Sequence, residues 1–264
     1  MRSGQYRRRG IYLLPAMLTV ANLFCGFYSM IQSSVGALEI SAVLIILAGV
    51  LDGLDGRIAR LTGTTSAFGL EFDSLADIVS FGLAPSLLVY HWALRPAGRI
   101  GWLLAFLFVV CTAMRLARYN TLSPGTLDRR FFVGLPSPMA GGMLACLVIA
   151  FPGRGAEAWA PLVVAPIVIV VAILMISKLR YRSFSEFDLR RSSYVYILPL
   201  AAILAAIALY PRAVPLILAV VFLVSAPTDY LWGVLVRRRR EPKVSQTAGP
   251  ENTGSEVTDE PAIR

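Results

Sequence analysis

Apolar runs close to bilayer length recur along the whole chain, and short polar or Gly/Pro turns separate them. The chain has 264 residues and is 56% hydrophobic, more than a soluble core of that size takes up. In lipid the backbone must satisfy its own hydrogen bonds, so each run reads as a helix. The runs fall at about residues 11–31, 38–60, 67–92, 100–119, from Pro138 to 151, 158–176, 194–210 and 213–236. The expected fold is therefore all-α, a polytopic membrane protein with about eight transmembrane helices. Residues 1–10 read as a basic arm, 11–236 as a transmembrane catalytic domain, and 237–264 as a polar, disordered tail.

The formal net charge is +9, which by itself would also suit a nucleic-acid binder. The cations, however, sit in short clusters between apolar runs, which fits membrane topology and anionic head groups and predicts no nucleic-acid partner. One set of loops holds Arg2, Arg7 to Arg9, Arg57, Arg60, Arg118, Arg129, Arg130, Lys178, Arg180, Arg182, Arg190, Arg191, Arg237 to Arg240 and Lys243. The other holds Arg95, Arg99, Arg154 and Arg212. The positive-inside rule then puts both termini and the turn after residue 60 in the cytoplasm, as expected of an integral protein of a bacterial-type cytoplasmic membrane. Cys25, Cys111 and Cys146 all lie within apolar runs and read as packing residues. The Arg-rich start before an apolar run lacks a small-residue cleavage site and reads as a retained first helix.

Against this apolar background, residues 52–77 stand out. Asp52 and Asp55 are three apart and Asp73 and Asp77 four apart, so each pair shares one helix face. Thr62-Gly63-Thr64-Thr65-Ser66 is a turn that folds the two faces together. A charged side chain in a bilayer costs roughly 2.5–3.5 kcal/mol on insertion scales, so four acids together need a cation or a function. Facing carboxylates suit a hard divalent ion: Mg2+, Mn2+ or Ca2+. Gly53 and Gly56 leave room for a ligand to approach the backbone, Ala59 keeps that face shallow, and Arg60 can grip a phosphate oxygen. Tight helix packing would explain the small residues equally well, but not the acids. Ion pairing with Arg57, Arg60, Arg115 and Arg118 is the other structural alternative.

Asp-x2-Asp-Gly-x2-Ala-Arg-x8-Gly-x3-Asp-x3-Asp, filled by Asp52, Asp55, Gly56, Ala59, Arg60, Gly69, Asp73 and Asp77, resembles the signature of the CDP-alcohol phosphotransferases. The run from Phe72 to Pro85, Arg115-Leu116-Ala117-Arg118-Tyr119-Asn120 and Phe132 to Pro138 resemble the branch of that family that transfers a phosphatidyl group from CDP-diacylglycerol to L-serine. The likeness spans about residues 11–236, and eight spans suit that branch. Ala16 departs from the Asn that often follows Pro15 in the family.

The resemblance implies attack of the serine hydroxyl on the lipid-linked phosphorus, release of CMP, and formation of phosphatidylserine. It also implies a divalent metal, with two ions expected, bound by Asp52, Asp55, Asp73 and Asp77. Asp77 would further act as the base, and the protein would be a homodimer. His91, the sole histidine, lies near the opposite end of its helix, so a carboxylate must take the proton unless Tyr or Lys does. Thr19 and Asn22 could face the nucleotide or bond neighbouring helices. Arg115 and Arg118, three apart, could clamp the serine carboxylate, with Asn120 adding a hydrogen bond; as membrane-interface anchors they would look the same. Pro136-Ser137-Pro138 could form a pocket wall, and Lys178 and Arg180 could hold lipid phosphate. Two rival readings are another acceptor or an archaeal CDP-lipid donor within the same family, and a divalent-cation transporter.

Overall fold

The computed structural model describes residues 3–63, 66–121, 131–153, 155, 157–182 and 193–240. Among them the chain forms helices α1 (Ser3–Ser34), α2 (Leu38–Thr62), α3 (Ala67–Ala97), α4 (Arg99–Thr121), α5 (Ser137–Ala150), α6 (Ala160–Ile176), α7 (Ser193–Leu209) and α8 (Val214–Arg240). These match the expected runs within a few residues, except that α1 begins at Ser3 and takes in most of the basic arm. Of the expected tail 237–264, residues 237–240 continue α8 as helix, and the rest, with the loop 122–130 and most of the charged stretch before α7, lies outside the described residues.

Only α3, 31 residues, and α4, 23 residues, are both long and apolar enough to cross a membrane by length and composition among the described residues. Ser137–Ala150, Ala160–Ile176 and the stretch Val214–Thr228 within α8 are shorter apolar segments among the described residues. Although α2 is long enough at 25 residues, Glu39, Asp52, Asp55, Arg57 and Arg60 interrupt it. The helix faces turned away from the core are strongly apolar: Met17, Phe24, Ile40, Phe106, Leu162 and Ile173 are all exposed.

The expected all-α fold has one exception. Phe131–Val133 (β1) and Arg180–Arg182 (β2) pair antiparallel, with Phe132 opposite Tyr181. This three-residue ribbon joins the chain before α5 to the chain after α6. Tyr181 is fully buried and stacks on Phe222 of α8, and its hydroxyl donates to the Leu223 carbonyl.

The core is built around the middle of α3. Its backbone widens into a π stretch at Ile78–Leu83, immediately after Asp77, and into a second at Tyr90–Leu94. Pro85 explains the first. It has no N–H and its ring would crowd the preceding turn, so the Ala84 N–H reaches back five residues to Val79 instead. Three helices close on this segment through small residues. A side chain on Gly26 of α1 would strike Ser80, one on Gly82 would press on Thr112 of α4, and one on Gly141 of α5 would lie 3.2 Å from the Phe81 backbone. Ser29 and Ser41 tie α1 to α2 with a 2.8 Å hydroxyl contact. The bundle therefore grips α3 tightly just beyond its acidic turn and fixes the direction of that turn.

Candidate functional site

The four aspartates meet as the turn predicts. Gly63 ends α2 in a left-handed conformation (φ +64°), with its N–H on the Ala59 carbonyl. Ser66 then caps α3, its hydroxyl accepting from the Gly69 N–H at 3.0 Å. Gly69 thus serves the cap: a Cβ there would press to 3.0 Å from the Ser66 hydroxyl.

One carboxylate oxygen from each of Asp52, Asp55 and Asp73 lies within 4.8 Å of the others. That equals the span of two oxygens on opposite sides of an ion with bonds of about 2.4 Å. Asp77, buried one turn further along α3, lines the same cavity as the other three. The Asp73 and Asp77 Oδ1 atoms are buried without any partner. Buried acceptors normally find donors, so these orphaned oxygens fit the role of ligands to a cation. The donor set is all oxygen and all carboxylate, which fits a hard divalent ion.

Thr19 of α1 sits behind this cluster. Its hydroxyl lies 3.1 Å from both Asp55 Oδ2 and the Pro15 carbonyl, and donates its one proton between them. Thr19 therefore touches an acid, not the open cavity. Asn22, one turn on, is fully buried, and neither atom of its side-chain amide has a partner. The Asn22 carbonyl accepts from Ser80.

A cavity of about 310 Å³ opens beside the acids. Asp52, Gly53, Asp55, Gly56 and Arg60 of α2 and Leu70, Asp73, Ser74 and Asp77 of α3 form one wall. Arg115, Leu116, Tyr119 and Asn120 of α4 and Pro136, Ser137 and Pro138 at the start of α5 form the other. A Cβ on Gly53 would meet nothing within 4 Å, and one on Gly56 only the Arg60 side chain at 3.6 Å. Helix packing therefore does not explain these two glycines, whereas an approaching ligand does. Ala59 and Gly69 are not part of the lining.

The facing wall carries the cation. Arg115 is buried, donates from Nη1 to the Ser137 hydroxyl at 2.8 Å, and keeps its Nε without a partner. Asn120 donates to the Ser74 hydroxyl at 3.0 Å and to Glu71 at 3.3 Å, tying α4 to α3 at the cavity rim. The structure does not bring Arg118 into the cavity. Its guanidinium donates to the carbonyls of Ile176, Val133 and Ser177 instead. Lys178 is exposed and outside the lining, the side chain of Arg180 lies outside the described part, and His91 packs edge-on against Tyr90 away from the cavity. Ser74 and Tyr119 were not expected. Each lies three or four residues from a residue already singled out, Ser74 before Asp77 and Tyr119 after Arg115, so helical spacing alone carried the signal.

Such a site, with carboxylates on one wall and a buried guanidinium on the other, can hold a cation-bound polyanion and a second, anionic reactant. Comparison with known proteins agrees. Over 189 residues the chain is 36% identical to a CDP-diacylglycerol–serine O-phosphatidyltransferase of Helicobacter pylori, covering 71% of this chain and 79% of that protein. It is 35% identical over 177 residues to the Bacillus subtilis protein of the same name, covering 66% of this chain and 92% of that one. It is also 38% identical over 170 residues to an archaetidylserine synthase of Methanothermobacter thermautotrophicus, covering 64% and 69%. The profile of the CDP-alcohol phosphatidyltransferases matches residues 12–178, which include both walls of the cavity. The chain belongs to the CDP-alcohol phosphatidyltransferase family.

Proposed function

We propose that the protein transfers the phosphatidyl group of CDP-diacylglycerol to the hydroxyl of L-serine, giving phosphatidylserine and CMP. The observation that carries this reading is the pairing of unpartnered acids with a buried arginine across one cavity. The names of relatives at 35–38% identity supply serine as the acceptor.

In the proposed reaction the serine oxygen forms a bond to the lipid-linked phosphorus, and the phosphorus–oxygen bond to CMP breaks. Asp52, Asp55, Asp73 and Asp77 would hold divalent metal, Mg2+ or Mn2+ with Ca2+ as a further candidate, and two ions in all. The metal supplies charge neutralisation for the diphosphate and the departing CMP. Gly53 and Gly56 let the diphosphate approach α2, and Arg60 at the rim takes a phosphate oxygen. Asp77 is buried and lies on the wall facing Arg115, and we assign it the proton of the serine hydroxyl. Arg115 receives the serine carboxylate through its free Nε edge, while Ser137 holds the guanidinium in place. Asn120 and Ser74 border the same end of the cavity. Thr19 orients Asp55, and the backbone carbonyl of Asn22 holds Ser80 of α3.

We place this catalytic unit, residues 11–236, in the cytoplasmic membrane as eight spans, with both termini and the cavity on the cytoplasmic side. The apolar outer faces support that placement. So does the gathering of Arg60, Arg118 and Lys178 at one end of the bundle, where Arg118 reaches the end of α6. A homodimer is carried over from the family. A transporter would need polar groups leading away from the acids. The buried hydroxyls of Ser33, Ser80, Ser86 and Thr112 instead bond backbone carbonyls.

The test offers CDP-diacylglycerol and a panel of alcohols to the purified protein and identifies the lipid product. Phosphatidylserine formed only with serine supports the reading. CMP release with glycerol phosphate or inositol phosphate but not serine would move the protein to another branch.

A further inference from the structure

Arg118 lies one turn beyond Arg115 on α4, yet its surroundings are entirely different. Nη1 donates to the Ile176 carbonyl at 3.0 Å; Nη2 donates to Val133 at 3.1 Å and reaches Ser177 at 3.4 Å. Ile176 is the last residue of α6, where carbonyls have no helical partner. Val133 is the last residue of β1. One planar guanidinium thus joins three segments: the end of α4, the end of α6 and the strand leading to α5. Three acceptors spread in this way suit the fixed fork of Arg, not the point charge of Lys.

The same joint is sealed from its other side. Gly134, at φ +79°, donates to the Leu179 carbonyl at 2.8 Å, and Leu135 donates to Leu174 at 3.0 Å. A Cβ on Gly134 would collide with the Met175 carbonyl, so α6 approaches this residue as closely as a backbone can. The next residues are Pro136, Ser137 and Pro138, which line the cavity, and Ser137 accepts from Arg115.

We infer that Arg118 is a positioning residue that fixes the Pro136–Ser137–Pro138 wall, and through Ser137 the aim of Arg115, by clamping β1 and the end of α6 to α4. This inference rests on the assignment of serine to the Arg115 wall. Both Nη groups are committed to backbone carbonyls, so Arg118 acts on the acceptor through the wall, not by contact. The acidic wall on α2 and α3 is held by other contacts, the Ser66 cap and the grip on the π stretch, and does not depend on the clamp.

The test uses the full chain in lipid nanodiscs, as wild type, Arg118→Gln and Arg118→Lys. Two readouts are taken: steady-state CMP release against each substrate, and amide hydrogen exchange. Arg118→Gln should raise the KM for serine by about tenfold, leave the KM for CDP-diacylglycerol within about twofold, and change kcat at saturating serine by less than about threefold. Exchange in 133–140 and 174–179 should quicken by about tenfold, with α2 unchanged. Arg118→Lys, which keeps one donor group, should fall between; it also carries the test if Arg118→Gln fails to fold. A raised serine KM with unchanged exchange in both segments would make Arg118 a direct ligand and overturn the inference. So would equal losses for both substrates, or no change in either readout. If the wild type shows no serine-dependent CMP release, the acceptor assignment fails, while the exchange result still decides whether Arg118 clamps the wall.

Discussion

The two walls of the cavity are built on opposite terms. On α2 and α3 the polar groups are acids of one sign, crowded within 4.8 Å, with the Asp73 and Asp77 oxygens left unpartnered. On α4 and the start of α5 the polar groups of the wall are mostly satisfied already, Arg115 by Ser137 and Asn120 by Ser74. The first wall gathers like charges with buried oxygens left over, a donor set that fits a cation. The second is complete as protein and offers one directed edge, the Arg115 Nε. An acidic wall that takes up a cation suits a diphosphate, which the acids alone would repel, and a satisfied wall suits selection of an acceptor by shape and charge.

The sharpest way to break this contrast is to neutralise the first wall. Asp55→Asn, Asp73→Asn or Asp77→Asn should each lower CMP release by about 10³-fold or more, the scale for losing a charge-stabilising group. The metal-free variants should melt no lower than the wild type, because each removes like-charge repulsion. Loss of activity together with a large drop in melting temperature would instead mark the acids as structural. Divalent metal should raise the wild-type melting temperature, with about 2.7 kcal/mol of stabilisation at a hundredfold excess over Kd. Asp73→Asn should abolish most of that rise, and an identical rise in the variant would remove Asp73 from the ligand set.

Neutralising the second wall should cost less and cost differently. Arg115→Ala should raise the KM for serine by about 10- to 100-fold with little change for CDP-diacylglycerol, the span of 1.4–3 kcal/mol expected of a charged hydrogen bond. Thr19→Val leaves every acid in place but frees Asp55, and should weaken metal binding by about tenfold, as outer-shell changes do. Calorimetric titration of the metal checks this without any turnover. Smallest of all, Ser137→Ala should raise the serine KM by only about fivefold, the worth of roughly 1 kcal/mol. An effect as large as that of Arg115→Ala would mean that Ser137 meets the acceptor itself.

The acids were legible in the sequence because four charges in an apolar chain carry a cost that only a function offsets. Their spacing and the Thr62–Ser66 turn then fixed which faces meet. Helix limits were legible for the same reason, since apolar runs end where charge or Gly/Pro begins. Arg115 and Arg118 were not separable. They are the same residue type, one turn apart, and only the return of α6 beside α4 makes one a cavity residue and the other a clamp. The ribbon of β1 and β2 has no local signature: three residues pair with three others across the whole of α5 and α6. The π stretches do carry one, since each closes on an N–H reaching back five residues just before a proline, Ala84 before Pro85 and Arg95 before Pro96. Gly69 shows the reverse case, a family-signature residue whose visible work is to leave space for the Ser66 cap.

The most direct test of the central claim is CMP release from CDP-diacylglycerol and serine by purified wild type and Asp73→Asn, first with chelator and then with added Mg2+ or Mn2+. The account predicts no turnover under chelation, recovery in the wild type with one phosphatidylserine formed per CMP, and no recovery in the variant. Turnover that survives chelation, or equal recovery in Asp73→Asn, would contradict it.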